Sequence, residues 1–160
     1  MRNETRESMR VPTTRRSVLR AAAMAIAMAI LRPLQVLAAQ WNKAAFDAKA
    51  VADALKSIGV TATEDSDKIA LKAPEIAENG AIVPLEVASG IAGTVAIYIL
   101  VDRNPQPLTA IFEFTNGTEA FVATRIKMAE SSKVRIVVKA GGKFYATAQE
   151  VKVTIGGCGP

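Results

Sequence analysis

The spacing of apolar residues changes once along this chain, and the change separates a helical stretch from a sheet-forming one. Between residues 41 and 58, Ala44, Ala48, Val51, Ala52, Leu55 and Ile58 recur at three- and four-residue intervals, which places them on one face of a helix. The pattern predicts a single helix from Trp41 to Ile58, capped by Asn42 and ended by Gly59, where a left-handed residue costs least. Its other face mixes lysine and aspartate, which suits docking on the domain's own sheet better than lying on a membrane.

After Gly59 the period becomes two. Ile69–Lys72, Ile82–Val87, Thr94–Val101, Leu108–Phe114, Phe121–Lys127, Val134–Lys139 and Val151–Ile155 read as seven short strands. Turn signals separate them: Glu78-Asn79-Gly80, Asp102 to Pro107, Asn116-Gly117, Glu130 to Ser132 and Gly141-Gly142. Asn116-Gly117-Thr118 also matches a glycosylation acceptor, but Asn-Gly between two apolar runs is a tight-turn signal first. A single helix followed by such strands predicts an all-β fold, an immunoglobulin-like β-sandwich of about seven strands. Alternation in Val134-Arg135-Ile136 and Val151-Lys152-Val153 predicts strands with one wet face. Thr94–Val101 is almost wholly apolar and is the candidate central strand.

Composition narrows the chemistry. Half of the 160 residues are apolar, enough for the core of one ordinary domain and too many for a disordered chain. There is no histidine and one cysteine, which removes Ser-His and Cys-His devices, His-ligated metals, internal disulfides and four-cysteine zinc sites. No acid/base pair, phosphate loop or metal set emerges, so neither catalysis by the chain alone nor a resident metal or cofactor is expected.

The net charge of +5 sits entirely in residues 1–38, where seven arginines face Glu4 and Glu7; residues 39–160 balance thirteen cations against thirteen anions. A body without basic excess is not built to neutralise phosphates, so no nucleic-acid partner is expected. The first 38 residues contain Thr14-Arg15-Arg16-Ser17-Val18-Leu19-Arg20, a mild apolar run from Ala21 to Leu31, then Val36-Leu37-Ala38. The run is about eleven residues, too short to span roughly 30 Å of hydrocarbon. The arrangement reads as a removable twin-arginine export signal over 1–38. It predicts a mature chain from residue 39 that works in the bacterial periplasm, with no membrane contact after cleavage.

The chain's one unusual feature is its end, where strand Val151–Ile155 runs into Gly156-Gly157-Cys158-Gly159-Pro160. Glycines supply no side chains to bury the thiol and are the costliest residues to order, so 156–160 is expected to be a flexible arm with an exposed cysteine. Five residues reach at most about 17 Å. Three uses compete for an exposed thiol in an exported protein: an inter-subunit disulfide, a redox centre, or an attachment point for a carried group. A redox centre wants a resolving cysteine or a neighbouring cation, and neither is present. With no such cation Cys158 should keep a pKa of about 8.5, a handle for other enzymes more than a nucleophile. Prenylation needs three residues after the cysteine, and here there are two.

The ending Val151 to Gly159 resembles the C-terminal arm of the SoxY family, the sulfur-carrier subunits of bacterial thiosulfate oxidation. The stretches Ala73–Ala81, Val83-Pro84 and Ala123–Ser132 are similar to that family as well, as is the twin-arginine leader. The resemblance implies an immunoglobulin-like sandwich spanning 39–155, paired with a SoxZ-like subunit. It implies that Cys158 takes thiosulfate covalently through the c-type cytochrome SoxAX, while Gly156, Gly157 and Gly159 form the hinge of the arm. The hydrolase SoxB then releases sulfate, and in some organisms a sulfane dehydrogenase oxidises the remaining sulfur. The chain departs from the family pattern in ending on Pro160 where the family has glycine, and proline restricts Gly159 as well as itself. The alternative reading is an exported interaction module whose terminal cysteine staples two subunits.

Overall fold

A computed structural model describes residues 42–115 and 117–156. The export-signal motif, Asn116 of the expected Asn-Gly turn, and Gly157, Cys158 and Gly159 lie outside the described residues. The chain runs α1 (Lys43–Asp47), α2 (Val51–Ser57), β1 (Glu64–Asp65), β2 (Ile69–Lys72), β3 (Ile76–Asn79), β4 (Val83–Ser89), β5 (Thr94–Val101), β6 (Leu108–Glu113), β7 (Phe121–Ile126), β8 (Ser132–Ala140) and β9 (Lys143–Ile155). Among the described residues nine strands form, two more than the pattern predicts. β1-β9-β8-β5-β6 make one sheet, with β3 added beside β9, and β2-β4-β7 make a second, antiparallel one.

The expected helix 41–58 is broken in two. Ala48 and Ala50 are extended, with ψ of 139° and 146°. The reason lies in Ala45 and Ala54, both fully buried. Nine residues at roughly 100° per residue would put them on opposite sides of a straight helix. The break turns both onto the sheet, and it leaves Ala44 and Ala52, expected on the inner face, exposed. Asn42 is the cap, accepting from Ala45 N at 3.1 Å, and its amide also donates to Ser57 O at 2.9 Å, tying the start of α1 to the end of α2. Gly59, at φ +81°, closes α2 with bonds from Gly59 N to Lys56 O and from Val60 N to Leu55 O. That pair of bonds is the Schellman arrangement.

The core lies between the sheets. Ile97, Ile99 and Val101 of β5, Val134, Ile136 and Val138 of β8, and Val151 of β9 meet Val83, Leu85 and Val87 of β4, Val122 and Ile126 of β7 and Ile69 of β2. On the outer face of the large sheet Ala96, Tyr98, Leu100, Leu108, Val137 and Ala146 pack against the helices. β5 is therefore buried on both faces, which accounts for its unbroken apolar run and for its inner place between β8 and β6. β8 departs from the expected one-faced strand for the same reason: the helices cover its second face at Val137. Gly141 and Gly142, at φ +57° and +78°, form the two-residue turn of the β8–β9 hairpin.

Tyr98 lies under the helices with its ring 6.5 Å from that of Phe144. Burial, and secondarily the negative charge of Glu113, push its hydroxyl above the ordinary value of 10.0. Unfolded Tyr98 then loses its proton at lower pH than folded Tyr98, so its contribution is complete below the unfolded value and lost as pH rises through the folded one. Denaturation midpoints measured from about pH 9 upward should fall more steeply for the parent than for Tyr98→Phe, which removes the titrating group; parallel curves would contradict the burial of this hydroxyl.

Candidate functional site: the root of the C-terminal arm

β8 begins at Ser132, opposite Val151, so the last residues of β9 extend past their antiparallel partner. The inward series Val151, Val153, Ile155 passes from buried through half-buried to 68% exposed. The strand thus leaves the core end-on, and the next residue is Gly156.

Side-chain and backbone groups from two neighbouring segments meet this overhang. On the side where β8 has ended, Ser131 stands in for it. Val153 N donates to Ser131 Oγ at 2.8 Å, and Ser131 Oγ donates to Val153 O at 3.4 Å. A hydroxyl can do both because it carries one donor and two lone pairs. On the other side β3 runs parallel to β9, with Ile76 opposite Lys152 and Asn79 opposite Ile155. Lys152 N donates to Glu75 O at 2.9 Å and Gly80 N to Ile155 O at 2.7 Å.

The two links that carry the chain between the sheets at this end meet each other. Gly80, between β3 and β4, accepts from Met128 N at 2.7 Å; Met128, between β7 and β8, is fully buried. Asn104 of the β5–β6 link holds the same segment, donating to Lys127 O at 2.8 Å and accepting from Ala129 N at 2.9 Å. Arg103 N donates to the buried Ser132 Oγ at 3.0 Å. The exposed Arg103–Glu130 pair at 3.8 Å adds little in water.

Gly156 sits against this assembly. A Cβ there would run into the carbonyl oxygen of Ala129, so the position takes glycine because one backbone passes close to another. Of the residues expected to form the arm, Gly156 alone is described. Sequence reasoning did not single out Ser131, Asn104 or Gly80 as site residues. Gly80 and Ser131 carry only turn signals, and the partners of Ser131 and Asn104 lie more than twenty residues away. Among the described residues no cluster of three or more His, Cys, Asp or Glu side chains could hold a metal ion. No helix among them is long and apolar enough to cross a membrane.

Over residues 54–158 the sequence matches the family described as Sulfur oxidation protein SoxY. The chain belongs to the SoxY family. The match begins inside α2 and runs through the anchored root to Cys158 itself. Among solved structures, the chain is similar to the sulfur carrier protein SoxY from Chlorobium limicola f thiosulfatophilum. The identity is 41% and the TM-score 0.60, covering 65% of this chain and 96% of that one. A superoxide reductase (neelaredoxin) from Ignicoccus hospitalis matches at 16% identity and a TM-score of 0.48, over 54% of this chain and 80% of that one. No curated protein sequence matches the chain. The all-β, immunoglobulin-like architecture is thus the SoxY fold, reached here with nine strands.

Proposed function

We propose that this SoxY protein is a covalent carrier in thiosulfate oxidation, holding sulfur intermediates on Cys158 and presenting them to partner enzymes. The carrying observation is that the SoxY match ends on Cys158, the chain's only thiol, two residues beyond a root bonded on both sides. The structural relative is itself called a sulfur carrier protein. In the loading step the Cys158 thiol loses its proton, and a bond forms between its sulfur and the outer sulfur of thiosulfate. The two electrons released pass to a c-type cytochrome of the SoxAX kind. Hydrolysis of the resulting S-thiosulfonate by a SoxB-like enzyme uses one water, releases sulfate and two protons, and leaves a persulfide anion on Cys158. A sulfane dehydrogenase, where present, oxidises that outer sulfur.

The carrier supplies a reach and an attachment atom, and the chemistry belongs to its partners. Beyond Gly156, which lies close against Ala129, Gly157 and Gly159 serve as the hinge, since glycine-rich segments behave as flexible chains and have no side chains to obstruct a narrow channel. The protein works in the periplasm after twin-arginine export and pairs with a SoxZ-like subunit.

Intact mass of the exported protein from cells grown on thiosulfate, before and after mild reduction, tests this reading. Reducible increments of sulfur atoms or of a thiosulfate group on the peptide ending in Cys158 are expected. A quantitative disulfide-linked dimer would favour the staple reading instead, and a bare thiol would leave an interaction module that carries no sulfur.

A further inference from the structure

We infer that Ser131, with Gly156 seated against Ala129, positions Cys158 by fixing where the chain is released from the sandwich; this rests on the carrier reading above. β9 has no strand beside it on the β8 side after Val151. Without a substitute, Val153 would lose both bonds on that side and the overhang would hold only through β3, a four-residue edge strand. The Ser131 hydroxyl fills that gap with both bonds. Ser131 is itself placed by its neighbours: Ser132 is buried and bound to Arg103 N, and Ala129 is bound to Asn104. Gly156 then lets β9 lie directly against the Ala129 carbonyl, where any side chain would push it away.

The consequence is a short tether. With the root intact, the tether to Cys158 is residues 157 and 158; with the overhang released back to Val151 it is residues 152–158. The r.m.s. reach of a flexible chain grows roughly as √n, so it rises by a factor of about 1.9. Effective concentration at a fixed docking point falls roughly as the −3/2 power of tether length, which is about sixfold here. Ser131 touches no carried group, so it is a positioning residue.

The test places one nitroxide on Cys158 and a second on an introduced Ala148→Cys, an exposed position on β9 well inside its pairing with β8. Pulsed EPR then reads the width of the distance distribution in the folded chain. The double change Ser131→Ala, Gly156→Ala should about double that width and speed amide exchange at Val153 at least tenfold, with Lys139, at the hairpin end of β8 far from the root, unchanged. Ser131→Thr, which keeps the hydroxyl, should restore Val153 protection. It should also match the parental width when Gly156 is left intact. A general loss of stability would instead speed exchange at Lys139 and Val153 together. Equal widths in parent and double variant would overturn the inference whether or not Cys158 carries sulfur, as would faster exchange that Ser131→Thr fails to reverse. Absence of sulfur adducts on the parent would overturn the carrier reading alone.

Discussion

Cys158→Ser should abolish the proposed sulfur carriage and leave the melting temperature within about two degrees of the parent. The loss is complete because the chain has no second thiol and serine forms no stable bond to sulfane sulfur. The thermal effect should be small on the expectation of an exposed thiol, since substitutions away from packed or paired positions usually change stability by about 0.5 kcal/mol or less. The flanking Gly157 and Gly159 offer nothing for a sulfur to pack against. Sulfur loading followed by mass, and thermal unfolding of the same preparation, check the two halves separately. A fall of more than a few degrees would mean that the thiol is packed against the body and is not held out for partners. Retained sulfur on the serine variant would place the attachment elsewhere and remove the basis of the carrier reading.

The sandwich was legible where a strand's two faces carry a consistent message. β5 reads as central because both of its faces are buried, and its span is the one the sequence predicts. β2, β4, β6 and β7 fall within a residue or two of their expected limits. The first half of β9 was hidden because Tyr145, Thr147 and Gln149 dilute its inward face and two alanines, Ala146 and Ala148, occupy the other. β1 and β3 are two and four residues long and exist only as parallel additions to the free edge of β9. Nothing local marks such a pairing, since its partner lies more than seventy residues on. The helix break escaped for a different reason. The residues from Ala44 to Ile58 satisfy a helical period, but the sheet demands Ala45 and Ala54, which a continuous helix cannot present together.

The proposed attachment point is visible in the sequence, while the described segments around the root are not. A lone cysteine in a glycine stub is visible in any reading of the sequence. The root consists of a hydroxyl standing in for a strand, one carbonyl pressed against a glycine, and an asparagine bridging two links. These are long-range backbone contacts with no periodic signature. The stretches that resemble the family, 73–84 and 123–132, supply most of that root: Glu75, β3 and Gly80 from the first, Met128, Ala129 and Ser131 from the second. Their shared role follows from geometry, since both are passages between the sheets at the end where β9 departs.

Met128→Ala should produce the largest loss of stability among single changes near the root, about 3 kcal/mol, within the range of 2–5 kcal/mol for buried Met to Ala. For a folded body of this size that lowers the melting temperature by roughly 10–15 °C. The argument is one of packing. Met128 is fully buried and belongs to the core cluster between the sheets, although it lies outside any strand, so its side chain plugs the end of the sandwich. Its backbone is fixed from both directions, by its own N–H on Gly80 and by Asn104 on either side of it, so the pocket cannot close by letting the link sink inward. Cavities that cannot collapse are the costly ones. Met128→Leu keeps nearly the same volume and should cost less than about 1.5 kcal/mol. Leu85→Ala, in β4 and equally buried, gives a matched comparison away from the link. It should destabilise to a similar extent while leaving amide protection at Val153 unchanged below the melting transition, whereas Met128→Ala should lower that protection well before global unfolding. Chemical denaturation with amide exchange on the three variants separates these outcomes. A cost below about 1 kcal/mol for Met128→Ala would show that the 127–131 link yields to fill the space, and a link that soft could not hold β9 at a fixed point of departure.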